Sequence, residues 1–340
     1  MPDTDDLDAI AAHRRYPTFT PQDDDFHDEV LSDRWWESET NWFSWNVPER
    51  RMGGWTYCQA RPNANLCNGG VWVWDDSASL SWDLPYHVHY AGLRLVDRAE
   101  RDMRDFEWPT GVHIKVLEPL MRYTIDYEDL PDLELHLLFE GIIAPNPHPI
   151  GVAPFLKGTH LDQPGHVTGE MVLRGERIAI DCYSVRDRSW GPRPAGRPKK
   201  RRPDKSRTVT GGIGYSFGTA GPRDAWLVYS RPGHDADPLS CGFLLRDGVY
   251  AHILGGERRV AVDAQTGWLT RIEIDAIDDT GRDLAVVGEA VSRHWRGHGG
   301  DTLFHWRWDR TEGWGEDQSY FSRARWEELK ARAASPPVTD

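Results

Sequence analysis

The chain is 340 residues long, carries a formal net charge of −14, and has 17 Trp beside 11 Tyr and 10 Phe. No apolar run approaches the roughly 18 residues that a membrane-crossing helix needs, and the aromatic content is too high for a disordered chain. The acidic balance argues against wholesale nucleic-acid binding, and the length suits about two domains or one large β domain.

The first 30 residues hold the acidic runs Asp5-Asp-Leu-Asp8 and Asp23-Asp-Asp25. They read as a loose lead-in with one short helix. They lack the basic start and apolar core of a signal peptide. Cys58, Cys67, Cys182 and Cys241 form no CxxC pair and no zinc-like spacing with His. The expectation is therefore reduced thiols, no bound metal and a cytoplasmic protein.

From Glu37 onward the pattern changes to short segments of alternating polar and apolar residues, the period of a half-buried strand. They are Gly70–Trp74, His87–Leu95, Met121–Tyr127, Glu134–Glu140, Glu170–Asp181, Ala225–Ser230, Tyr250–Leu254, Trp268–Ile277, Leu284–Trp295 and Thr302–Trp308. The 32 Gly and 23 Pro supply tight turns between them. Helical periodicity is convincing only at 322–333, where Ser322 would cap and Trp326 and Leu329 would dock. The fold class is all-β: two tandem antiparallel β barrels or sandwiches with a short C-terminal helix. The Pro- and Gly-rich stretch 145–165 divides it into a first β domain, 31–160, and a second, 161–340. Within the second, residues 193–207 carry eight Lys/Arg against one Asp. Two readings stand for that insertion: a solvated, mobile hairpin, or a loop that binds phosphate or a partner.

The densest polar and aromatic stretch is Asp181-Cys-Tyr-Ser-Val-Arg-Asp-Arg-Ser-Trp-Gly-Pro-Arg193. At period 2, Tyr183, Val185, Asp187 and Ser189 share one face, and Arg186, Arg188 and Trp190 share the other. This motif, Asp187-Arg-Ser-Trp-Gly191, resembles the Asp-His-x-Trp-Gly pattern of the carotenoid 1,2-hydratase/AttH-like family and its uncharacterised bacterial relatives. Glu37-Ser-Glu-Thr-Asn-Trp-Phe43, Arg61-Pro-Asn63, Gly70-Val-Trp-Val-Trp74 and Gly313-Trp-Gly-Glu-Asp317 follow the order of segments in those relatives. The resemblance implies a tandem of lipocalin-like barrels. It implies hydration of an isolated alkene in a terpenoid, cyclase or Diels–Alder chemistry, or lipid binding alone. Arg188 stands where the hydratases carry a catalytic His, a departure from their arrangement.

Alkene hydration needs an acid that protonates carbon, a surface that stabilises the cation, and a base for water. A desolvated carboxyl can stay protonated near neutrality, and aromatic faces stabilise cations. Asp187 with Trp190 fits those roles, with Arg188 beside them and Tyr183 or Tyr215 as hydrogen-bonding partners. Tyr215 would lie on a strand beside the motif strand. An equally concrete alternative is that Asp187 only pairs with a neighbouring Arg while Trp190 plugs the barrel.

His87 and His89 share a strand face, but no third metal ligand accompanies them. His294 and His298 have the spacing of a helical metal pair inside a strand-and-turn context. His305 alternates with Trp306 and Trp308, and either side could line a cavity. Together with Trp74, the residues Tyr183, His87, His89, His305 and Trp306 are the expected substrate-binding set.

No nucleotide or acyl-transfer signature occurs, so no cofactor is expected. The reading these residues support is a cofactor-independent acid–base enzyme acting on a terpenoid-, steroid- or polyketide-like small molecule in a Trp-lined cavity. It would be a hydratase or dehydratase, an isomerase or a cyclase. The alternative is a non-catalytic carrier of lipid or another hydrophobic ligand. The expected partner is the small molecule, with no nucleic acid and no membrane span; the oligomeric state, including a homodimer, stays open.

Overall fold

The computed structural model describes residues 4–28, 32–97, 100–193, 212–295 and 299–335. Among these, one compact unit takes in 15–78 and 82–193, and the other takes in 4–14, 79–81, 212–295 and 299–335.

The first unit is one curled, antiparallel half-barrel sheet. Its strands are β1 (Glu37–Val47), β2 (Met52–Arg61), β3 (Leu66–Trp74), β4 (Tyr86–Arg94), β5 (Asp105–Glu107) and β6 (His113–Glu118). They continue with β7 (Arg122–Asp129), β8 (Leu133–Gly141), β9 (Asn146–Pro147), β10 (Thr159–Leu173) and β11 (Glu176–Pro192). The order across the sheet is β4-β3-β2-β1-β11-β10-β8-β7-β6-β5, with β9 beside β10. Every pairing is local except β1 with β11, which joins the first strand of the unit to its last. One face packs an apolar core that includes Phe43, Trp45, Val71, Ile125, Phe139 and Met171.

The second unit is a closed eight-stranded barrel. Its strands are β12 (Gly212–Thr219), β13 (Ala225–Ser230), β14 (Asp237–Arg246), β15 (Val249–Val262), β16 (Leu269–Asp278), β17 (Asp283–Trp295), β18 (Gly300–Trp308) and β19 (Thr311–Phe321). Two helices belong to this unit, α1 (Thr4–His13) and α2 (Arg323–Ala334). The Ser322 hydroxyl accepts from the Arg325 amide, as its capping role requires. Leu329 and Trp326 pack on the barrel core. Arg325 also reaches the buried Asp237 at 2.9 Å. Asp237 in turn pairs with Arg258 at 2.8 Å, and Arg258 pairs with Asp317 at 2.6 Å. All four charged groups are buried and mutually neutralised, which is how a buried ion is tolerated.

Much of the Trp content has a packing explanation. Trp45 lies directly across the ladder from Gly54, Trp74 from Gly53, Trp226 from Gly218 and Trp306 from Gly288. In each case a Cβ added at the glycine would fall within 2.2–2.7 Å of the indole. The ring lies flat over the strand opposite, in space only glycine leaves. Trp226 and Trp306 then meet edge to face at 4.9 Å, and with Phe304 and Trp308 they fill the barrel interior.

Several expectations change. The boundary expected at 160/161 differs from the observed division: the hairpin of β10 and β11 pairs with β8 and β1 and so belongs to the first unit. Residues 194–207 of the basic insertion lie outside the described residues. Glu170–Asp181 is not one strand but a hairpin turning at Arg174 and Gly175, both at positive φ. The lead-in is not loose over 15–28. Asp24 is buried and takes hydrogen bonds from the Tyr123 hydroxyl (2.7 Å) and the Leu120 amide (2.6 Å). Arg14 donates to the Ser240 and Leu254 carbonyls of the barrel unit.

Gly218→Ala and Gly288→Ala should each destabilise the protein by about 1–3 kcal/mol through overpacking. A lowered denaturant midpoint with an unchanged slope is the expected result; unchanged midpoints would refute the indole-over-glycine account.

Candidate functional site

β11 lies in the middle of the sheet, and its side chains alternate between two very different faces. On the core face, Arg186 donates from Nε to Gln163 at 2.6 Å and stacks over the Tyr123 ring at 4.2 Å. Arg188 donates to the Asp24 carbonyl at 2.8 Å, to the Asp25 carbonyl, and to Glu39 at 3.3 Å. Burial pulls its pKa down, and the charges of Glu39 and Asp24 oppose that pull. Trp190 is stacked by His27 at 3.9 Å and met by Phe19 at 5.8 Å. His27 in turn lies between Glu39 (2.9 Å) and Asp23 (3.2 Å). Arg188 thus straps the 15–28 segment to the sheet.

The opposite face carries Asp187. Reading straight across the ladders, Trp42 on β1, Asp187 on β11, Asp162 on β10 and Asn146 on β9 stand opposite one another. The neighbouring row is Thr40, Ser189 and His160. The Thr40 and Ser189 hydroxyls are 2.7 Å apart, and Arg193 donates to Ser189 at 2.7 Å. His160 is buried, stacks on Phe155 at 3.9 Å, and bonds Asp162 through Nε2 at 3.0 Å. Burial pushes the half-buried Asp187 carboxyl up to about 6; the Asp162 carboxylate adds to this, while His160, Arg193 and Arg186 oppose it. Burial pushes the His160 imidazole down to about 4.

The same face continues as an indole array. Trp42 meets Trp55 edge to face at 5.3 Å, and Trp55 meets Trp72 at 6.0 Å and Trp74 at 5.7 Å. Trp72 meets His87 at 5.8 Å and His89 at 5.4 Å. Register places Tyr183 on this face too, stacked on His166 at 4.7 Å.

Of the sequence-predicted residues, one sheet face therefore unites Asp187, Tyr183, Trp74, His87 and His89. Trp190 and Arg188 point to the other face, so Trp190 does not accompany Asp187. Three positions along a strand always reverse the face. Tyr215 does not pair beside the motif strand, because β12 is hydrogen-bonded to β13 and β19 in closing the barrel. Trp306 fills the barrel interior, and His305 alternates outward, 4.9 Å from Trp314 and 3.6 Å from Glu312. His298 lies outside the described residues.

Two His–Asp pairs were missed from sequence. His160-x-Asp162 had a local signal in its i, i+2 spacing. His294 and Asp301, both buried and 3.4 Å apart, had none, because only the β17–β18 register brings them together. Register sets Asp301, Gln318, Tyr215 and Tyr229 in one row across β18, β19, β12 and β13. Among the described residues, no group of three His, Cys, Asp or Glu could hold a metal ion. No described helix is long and apolar enough to cross a membrane.

The half-barrel sheet and closed barrel define a two-unit all-β protein of the AttH-like fold. A crystal structure of a candidate AttH from Nitrosomonas europaea is similar, at 13% identity over 91% of this chain and 98% of that one, with a TM-score of 0.58. CghA crystallised with Sch210972 is similar at 12% identity over 84% and 88%, with a TM-score of 0.52. Kievitone hydratase from Nectria haematococca aligns at 10% identity over 88% and 93%, with a TM-score of 0.47. At these identities the likeness is one of fold. Residues 20–318 match the family described as Domain of unknown function (DUF7064), and the chain belongs to that family. No curated protein matches it.

Two outcomes test these roles. Arg188→Ala and Arg188→His should each cost about 3–5 kcal/mol, because Glu39 and two backbone carbonyls lose a buried cation. Urea unfolding measures this, and an unchanged midpoint would contradict it. His160 has a folded pKa below its unfolded value, so its contribution to stability is lost as pH falls from about 6.5 to about 4. Asp187 acts in the opposite sense: its raised pKa favours the folded state at low pH, and that contribution is lost as pH rises from about 4 to about 6. His160→Gln removes the first slope, and with His160 gone the Asp187 carboxyl rises further, which acts in the same direction. Its melting temperature relative to wild type should therefore climb as pH is lowered through that window.

Proposed function

We propose that this protein is a cofactor-independent acid–base enzyme acting on a hydrophobic terpenoid-, steroid- or polyketide-like molecule, with Asp187 as its acid. The reaction is a hydration or dehydration, an isomerisation or a cyclisation. The observation that carries this reading is a carboxyl with its pKa raised to about 6, set between Trp42 and Asp162 on a sheet face that continues as an array of indoles. A carboxyl with that affinity holds its proton in slightly acid solution and is matched to giving and retaking it. In a hydration, the Asp187 O–H bond breaks as a C–H bond forms at the alkene. The electron-rich faces of Trp42 and its neighbours stabilise the cation left behind. Water then supplies the new C–O bond, and its proton returns to the Asp187 carboxylate. The resemblance of Asp187-Arg-Ser-Trp-Gly191 to the hydratase motif supports the reaction class, and the AttH-like fold is compatible with it.

A panel of terpenoid alkenes incubated in isotopically labelled water, with products read by mass spectrometry, tests the proposal. Wild type should incorporate label, and Asp187→Asn should lose at least about a hundredfold in rate with substrate affinity retained. The wild-type rate should fall as pH rises through about 6, where Asp187 gives up its proton. Tight binding with no label in any product would instead identify a carrier of hydrophobic ligands. Unchanged turnover in Asp187→Asn would remove that residue from the mechanism.

A further inference from the structure

Trp190 and Gly191, the hydratase-like half of the motif, line a concavity of their own. It has a volume of about 450 Å³ and is bounded by Arg34, Glu37, Lys157, Gly158, Trp190 and Gly191, with Ser32, Thr159 and Pro192 completing it. That volume falls in the range of small-molecule sites. Asp187, Asp162 and His160 are not among the residues that line it.

The wall between the β10 entrance and the end of β11 has no side chains. A Cβ on Gly191 would come within 2.8 Å of the Gly158 Cα, and one on Gly158 within 2.9 Å of the Trp190 carbonyl. Gly191 also has φ +120°, a conformation that glycine tolerates. Backbone therefore borders the pocket, and a flat ligand can lie close to it. Trp190 is 9% exposed and held rigid by His27. It provides an apolar wall whose position is set before anything binds.

The charges on the rim are unusual for this chain. Arg34 stacks over Trp36 at 5.5 Å. Among the described residues, neither Arg34 nor Lys157 has an ion-pair partner, although the protein carries a net charge of −14. The one lining carboxylate, Glu37, is buried and already accepts a hydrogen bond from the Ser32 hydroxyl. Two exposed cations against one engaged carboxylate leave the pocket positive.

We propose that this pocket binds an amphipathic anion: a planar apolar body against Trp190 and the glycine wall, and a carboxylate or phosphate head between Arg34 and Lys157. The proposal stands independently of Asp187 and its chemistry.

Calorimetric titration of the full chain with 2-naphthoate, 2-naphthyl phosphate and the neutral 2-naphthalenemethanol tests it. At least one anion should bind with one-to-one stoichiometry, and the tighter of the two names the head group. The neutral alcohol should bind at least about tenfold more weakly, since charge-assisted hydrogen bonds are the strong ones. Arg34→Gln/Lys157→Gln should weaken the anion at least about tenfold without changing the melting temperature, because both side chains are exposed. Rising salt should weaken it as well. Asp187→Asn should leave anion binding unchanged, so loss of turnover in that variant and loss of the anion site are separate results. No anion binding, equal binding of the alcohol, an unaffected double variant, or loss of binding in Asp187→Asn would each overturn the proposal.

Discussion

A guanidinium buried in a β sheet must be answered by oxygen atoms on the same face, and Arg188 imposes that demand at the centre of the first unit. Glu39 answers it from β1, and the Asp24 and Asp25 carbonyls answer it from the N-terminal segment. That arrangement orders 15–28 across the core face and closes His27 over Trp190. Because β11 alternates, the same residue run that buries cations on the core face presents Asp187 on the other. Strand parity and charge neutralisation thus put the buried guanidinium groups on one face and Asp187 on the other.

The second organising feature is the pairing of indoles with glycines. A sheet filled by Leu or Val needs side chains from both strands of a ladder; an indole opposite glycine fills the space of two residues with one rigid ring. Trp226 and Trp306 use this to close the barrel interior, and Trp74 uses it on the indole-bearing face of the open sheet. These rings belong to the barrel's buried core. Polar side chains are gathered in rows across the sheets instead: Trp42, Asp187, Asp162 and Asn146 in the first unit, and Asp301, Gln318, Tyr215 and Tyr229 on the barrel.

Arg188 stands where the motif that Asp187-Arg-Ser-Trp-Gly191 resembles has His, and it faces the core, held by Glu39 and two backbone carbonyls, away from the Asp187 face. That face has its own imidazole in His160, kept neutral by burial and hydrogen-bonded to Asp162. This chain thus places a carboxyl, an imidazole and a row of indoles on one sheet face, the arrangement on which the proposed acid–base chemistry rests.

Alternation of polar and apolar residues was enough to read an all-β chain, and Ala225–Ser230 is recovered residue for residue as β13. The Ser322 cap and the docking of Leu329 were legible for the same reason: helix ends and strand faces are written in local side-chain chemistry. Period 2 also assigned Tyr183 and Asp187 to one face and Arg188 and Trp190 to the other. What local pattern could not supply was pairing. The union of β1 with β11, the membership of β10 and β11 in the first sheet and the neighbours of Tyr215 depend on contacts distant in sequence, and the meeting of His294 with Asp301 depends on the register of one hairpin. The charges that act on Asp187 and His160 likewise come from two paired strands, β10 and β11, and from Arg193 just beyond them. Side-chain periodicity is a property of one strand, whereas register, burial and charge neighbourhood exist only once the strands are packed together.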